Sequence, residues 1–277
     1  MKAKTLTQVI LIAAFAALAL PVRPAAQEER DHGQHRRYRL VDIGAFGGPN
    51  SFVGAVITVD GDKLIGLGAA ETPDLLLPNT NPYNCFDPNL MNAFTWENDR
   101  RTNLHSLNSD ENCSLAGGVD GSSVFFGNSE NGAVDPLTGI KQLRAVRWKH
   151  GEIHSLGTLG GNHSAALGMN KREQIIGWAL NKFADPFSLF DLTIRGSSNG
   201  TQSRAFVWQP GNRMRGLGTL GGPDAQAFFI NDRGQIAGFS YVTSTPNSTT
   251  GLPTLHPFLW HKGKMKDLGT LGGFGVR

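Results

Sequence analysis

The 277-residue chain has only two cysteines and three tyrosines, and beyond its first 26 residues it has no apolar run long enough to cross a membrane. Extended helical spacing of apolar residues is missing as well, which argues against a helical bundle. Excess charge of one sign is also scarce. Of the 26 Lys and Arg, three lie within the first 26 residues, which carry no acid, so the remainder balances the 23 acidic side chains. Nucleic-acid binding rests on a cationic surface that displaces counterions, and no nucleic-acid partner is expected. The one basic cluster, His32, His35, Arg36 and Arg37, falls in the leader to the first strand.

What is abundant is glycine, 35 residues, with 14 prolines. That composition suits many short strands joined by turns. Residues 1–26 read as a secretory signal peptide: Lys2 and Lys4, an apolar run Val9–Leu20, then Pro21, Ala25 and Ala26 as a small-residue cleavage zone. The run falls short of the roughly 20 residues of a spanning helix. The mature chain is therefore expected to be secreted, extracellular or periplasmic, and not membrane-spanning. Residues 27–37 read as a disordered linker and 38–277 as a single repeat domain. In an oxidising compartment Cys85 and Cys113 are expected to pair. Their loop of roughly 27 residues would contribute ~3 kcal/mol. Zinc is a poor alternative, because neither has a second Cys or a His at ligand spacing.

The hexapeptide LGTLGG stands at 156–161, 217–222 and 268–273, with a worn copy, DIGAFGG, at 42–48. Trp96, Trp148, Trp208 and Trp260 are separated by 52, 60 and 52 residues. A period near fifty with strand and turn patterning predicts a β-propeller-like array, all-β, of about four four-stranded antiparallel blades. The repeat units run about 38–68, 93–129, 144–180, 204–240 and 256–277. In 204–240 the alternation puts Phe206 and Trp208 on one strand face. Pro210-Gly211 turns the chain, LGTLGG reverses it again, and Asn231–Gly234 closes a second hairpin. Read so, one unit is one blade and LGTLGG joins its two hairpins. Long insertions and LGTLGG corners then share one face, where binding usually sits. Counted this way there are about 17 strands, one more than four blades need. That leaves an open array, or two ends sharing a blade, and open strand edges favour self-association.

The runs Arg204-Ala205-Phe206-x-Trp208, His256-Pro257-Phe258-Leu259-Trp260, LGTLGG and FINDRGQIAG resemble the HAF family of probable extracellular repeats over about residues 38–277. The resemblance implies export, a propeller-like β repeat and no established activity. It supplies no catalytic residues. The second unit departs from it, with Asn103-Leu104-His105-Ser106-Leu107 in place of LGTLGG, and the first unit lacks the AFxW strand.

Several residue sets invite chemical readings. LGTLGG lacks the Lys-Ser/Thr of a phosphate loop. Its paired glycines (Gly160 and Gly161, Gly221 and Gly222, Gly272 and Gly273) read as corners needing positive φ and close packing. His150 and His154 have HxxxH spacing but bracket a hairpin glycine, and read as exposed polar residues. Asp87, Asp135 and Asp185 each precede a proline, a turn-starting pair. If their loops converge, the three carboxylates become calcium ligands. Leu75–Leu77, Phe187, Leu189 and Phe190 are expected to pack down on the blades, with an exposed partner patch as the alternative. No cofactor is implied. The expected function is a non-enzymatic binding or scaffold module that takes a glycan or protein on its insertion face. The alternative is an exported propeller hydrolase or lyase, for which the sequence offers no converging acid, base and nucleophile.

Overall fold

The computed structural model describes residues 40–53, 63–75, 85, 87–108, 111–119, 123–190 and 200–271. The expected signal peptide and linker, the turn at Asp60-Gly61, Leu76, Leu77, Gly272 and Gly273 lie outside these. Sixteen strands are present among the described residues. The first sheet holds β1 (Gly47–Val53), β2 (Leu64–Pro73), β3 (Asn89–Glu97) and β4 (Arg100–Asn103). The second holds β5 (Ser114–Val119), β6 (Phe125–Val134), β7 (Lys141–Lys149) and β8 (Glu152–Ser155). The third holds β9 (Ser164–Met169), β10 (Ile175–Asp185), β11 (Gly200–Trp208) and β12 (Arg215–Gly216). The fourth holds β13 (Ala225–Ile230), β14 (Ile236–Pro246), β15 (Pro253–His261) and β16 (Lys264–Asp267). Each sheet is an antiparallel meander in chain order, and all lie within the compact unit formed by residues 42–277. The architecture is the expected all-β, propeller-like array of four four-stranded blades.

The frame of the repeat is not the expected one. Each sheet takes its first two strands from the end of one sequence unit and its last two from the start of the next. Residues 204–208 pair with β10 and β12, whereas 225–246 belong to the following sheet. LGTLGG is therefore the link between sheets. The long insertions are the connections between the second and third strands of a sheet. Alternation in YRLVDIG (38–44) predicts a strand and AFGGPNS (45–51) a turn; the described residues 40–44 form no strand, and β1 begins at Gly47, inside the expected turn. The strand surplus disappears because that first expected strand is absent among the described residues. In a meander the second-to-third connections and the links to the next sheet still leave from one end. The insertions and the LGTLGG corners thus share a face, and the short turns lie opposite.

The corner explains its glycines. Gly160 and Gly221 sit at φ of 110° and 126°. At Gly161 and Gly222 a Cβ would stand 2.7 Å from the Leu180 Cβ and 2.4 Å from the Tyr241 Cβ. Within each of the last three sheets a strand-two glycine admits its neighbour. A Cβ on Gly127, Gly177 or Gly238 would come within 1.9 to 2.0 Å of a carbonyl oxygen on the adjoining first strand.

Three apolar joints hold the array. Ile65, Ala93 and Leu104 meet Ala116, Phe125 and Trp148 between the first and second sheets. Phe126, Ala145 and Leu156 meet Ala166, Ile175 and Phe206 between the second and third. Ile176, Ala205, Val207 and Leu217 meet Ala227, Ile236, Phe258 and Trp260 between the third and fourth. Trp148, Trp208 and Trp260 each face the preceding sheet from its successor's third strand, and Trp96 holds the matching place in the first. The link residue after the fourth strand always bonds the same partner: Leu104 N–H to Ala93 O, Leu156 to Ala145, Leu217 to Ala205 and Leu268 to Pro257. The first three leucines are 6 to 8% exposed, and Leu268 is 52% exposed. The outer face of the fourth sheet is accordingly a joint face with no sheet against it among the described residues. Leu156→Ala is expected to cost ~2–4 kcal/mol, and Leu268→Ala well under ~1 kcal/mol. Urea unfolding of the two variants measures the difference.

Candidate functional site

On the insertion face each joint is latched at the same place by a different chemistry. The residue just before the first strand of each later sheet is Cys113, His163 or Asp224. Each accepts a backbone N–H from the third strand of the preceding sheet: Met91 to Cys113 Sγ at 3.3 Å, Leu143 to His163 Nδ1 at 3.1 Å, and Ser203 to Asp224 Oδ1 at 2.8 Å. Each also meets a residue from the preceding sheet's insertion. Cys113 forms a disulfide with Cys85, with the Cα atoms 5.9 Å apart. His163 Nε2 bonds Asp135 Oδ2 at 2.8 Å. Asp224 lies against Asp185. All six are at most 3% exposed, so they work between sheets and are closed to large ligands.

The Asp-Pro turns position the carboxylates. Asp87, Asp135 and Asp185 each accept the N–H two residues on, from Asn89, Leu137 and Phe187. Asp87 also accepts from Asn50 at 2.6 Å. Asp135 further accepts from Asn162 and Thr138. The calcium arrangement is not what the structure brings together. Among the described residues the one group of ligating atoms within 4.8 Å of one another is Asp74, Cys85 and Cys113, and its two sulfurs are bonded to each other. His150 sits at a positive-φ turn and His154 on β8 beside Glu152.

The second and third latches have opposite electrostatics. Burial alone would raise the carboxyl of Asp135, but hydrogen bonds from His163, Leu137 and Asn162 hold it well below the usual range. At Asp224 burial dominates, and the neighbouring Asp185 adds to it. Together they push the carboxyl up to about 8 against the hydrogen bonds from Leu189 and Ser203. With both groups ionised, Asp185 Oδ2 is buried without a donor among the described residues. A proton on Asp224 supplies one.

Sequence reading passed over His163 and Asp224. The signal was their place: each stands two residues after the closing glycine of LGTLGG. Around these latches the face carries exposed apolar side chains. Leu75 is 91%, Phe183 58%, Leu137 54% and Val134 49% exposed. Phe190, from the same group of insertions, is buried against Trp178 and His163 as expected, while Leu75 does not pack down. A hollow of about 230 Å³ opens beside the second latch, with Leu180 and Phe190 as apolar lining and Thr138, Asn162, Asn181 and Thr201 as polar lining. No family model matches the chain, and no curated protein matches it. No helix among the described residues is long and apolar enough to cross a membrane.

Proposed function

We propose that this is an exported, non-catalytic binding module of the HAF-like extracellular repeat kind, presenting its insertion face to a protein partner. The observation that carries the reading is the grouping of Leu75, Val134, Leu137 and Phe183 as exposed apolar side chains on that one face. Exposed apolar side chains gathered on one face are a mark of partner surfaces. Export is supported by the leader and by the Cys85–Cys113 disulfide. A binding role over catalysis is supported by the latches. Both ring nitrogens of His163 are engaged, and Asp135, Asp185 and Asp224 are closed within joints. The hollow lined by Asn162, Asn181, Thr138 and Thr201 favours a second reading, in which the same face takes a neutral glycan.

Photo-crosslinking groups placed at Leu137 and Phe183 test the choice. A protein partner is expected to be captured at both positions and lost on Leu75→Ser with Val134→Ser. Capture from Lys262, on the opposite face, with none at Leu137 or Phe183 would sink the proposal. A glycan-array signal that disappears on Asn181→Ala, without any protein capture, would move the assignment to the second reading.

A further inference from the structure

The turn face carries a second site of different character. In every joint one residue of the turn between the first two strands of the later sheet stands at the same register position, two residues before the second strand's start. These residues are Ser123, Glu173 and Gly234, and all three have positive φ, 63°, 55° and 75°. The first two meet cations from the preceding sheet. Lys63 Nζ donates to Ser123 Oγ at 3.0 Å. At the second joint Glu173 accepts from Arg147 at 3.0 Å and from Lys149 at 2.6 Å. Arg147 there lies over the Trp208 ring, 5.0 Å from its centroid.

The third joint repeats the cation and the ring without the carboxylate. Arg215 lies over Trp260 at 5.6 Å, and Gly234 stands where Glu173 stood. A hollow of about 350 Å³ opens there, lined by Arg213 and Arg215, the amides of Gln174, Gln209 and Asn212, and an apolar wall that includes Val207 and Ile236. Arg213 and Arg215 have no ion-pair partner among the described residues, whereas the cations of the preceding joint are neutralised. Arg172 adds a further guanidinium, with Nη2 3.0 Å from where a Gly234 Cβ would be.

We propose that this hollow binds a uronic-acid residue of an acidic glycan, whose carboxylate takes the place that Glu173 fills in the preceding joint. Guanidinium groups bind carboxylates through charge-assisted, often bidentate, hydrogen bonds. The three amides answer the sugar hydroxyls, and Val207 and Ile236 meet its carbon face. This site is on the opposite end of the sheets from the insertion face and stands independently of it.

Titration calorimetry with an oligogalacturonate, its methyl ester and an oligoglutamate is the test. The free acid is expected to bind at least about tenfold more tightly than the ester, since a hydrogen bond to a charged group carries that much, and to weaken with added salt. Arg215→Ala and Gly234→Glu should each cost about tenfold or more. Gly234→Glu does so by supplying an internal carboxylate; because it places a side chain at a φ of 75° and close to Arg172, a modest drop in melting temperature is expected, and its binding is read well below that temperature. Equal binding of acid and ester, preference for oligoglutamate, or undiminished binding by folded Arg215→Ala would each overturn the assignment.

Discussion

Reducing the Cys85–Cys113 disulfide, or replacing both cysteines by serine, is expected to lower the unfolding free energy by ~2–4 kcal/mol. It should do so without altering the third joint. The bond closes the insertion of the first sheet onto the strand that begins the second. Cys85, Cys113, Leu90 and Met91 are packed together with Leu67. The chain-entropy effect scales with a sequence separation of 28 residues, and the buried Met91 N–H loses its sulfur partner's fixed position. Urea unfolding with and without reductant gives the size. Hydrogen exchange gives the place: Met91 and Ala93 should lose protection first, and Ser203 should keep it. Uniform loss across the sheets would instead mean that the joints are not separable.

The acid pair is expected to make the protein less stable as pH rises. Asp224 titrates near 4 when unfolded and at about 8 when folded. Between those values the folded chain binds more protons than the unfolded one. Its contribution is therefore complete below about pH 4 and is lost progressively toward pH 8, on the order of a few kcal/mol. Asp135 behaves in the reverse sense: its carboxyl is held low, so its contribution is present above about pH 4 and fades as pH falls further. Asp185→Asn is the discriminating variant. Its amide keeps an oxygen for the Phe187 N–H and offers a donor to ionised Asp224, so the loss between pH 4 and 8 should shrink. Melting temperatures of the wild type and Asp185→Asn across that range give the answer, and parallel curves would remove Asp224 from the account.

Much of the architecture is readable in the residues. Tryptophans spaced 52, 60 and 52 apart mark the third strands, and the glycine doublets mark corners because only glycine accepts both the positive φ and the close approach. The frame is not readable, because a repeat looks the same wherever its starting point is placed. Lengths misled here: the short LGTLGG suggested a turn within a sheet, and the longer run 241–254 a link between sheets, whereas the pairing of Ile236–Tyr241 with Leu255–Trp260 shows the opposite. The latches were hidden for another reason. A position that repeats in space holds Cys, His and Asp in turn, so no residue type repeats in the letters. Cys85 and Cys113 were visible only because thiols pair.

The offset between sequence unit and sheet decides where the chain can be divided. A fragment cut at the borders of the sequence units ends in two half-sheets. Each half would leave a row of unpaired backbone groups, so a unit such as 204–240 is not a portable module. Cuts inside the links 104–113, 156–163 and 217–224 leave whole meanders instead. For anyone shortening, lengthening or grafting this scaffold, the interchangeable piece runs from one glycine corner to the next, for instance from Ser164 to Gly216.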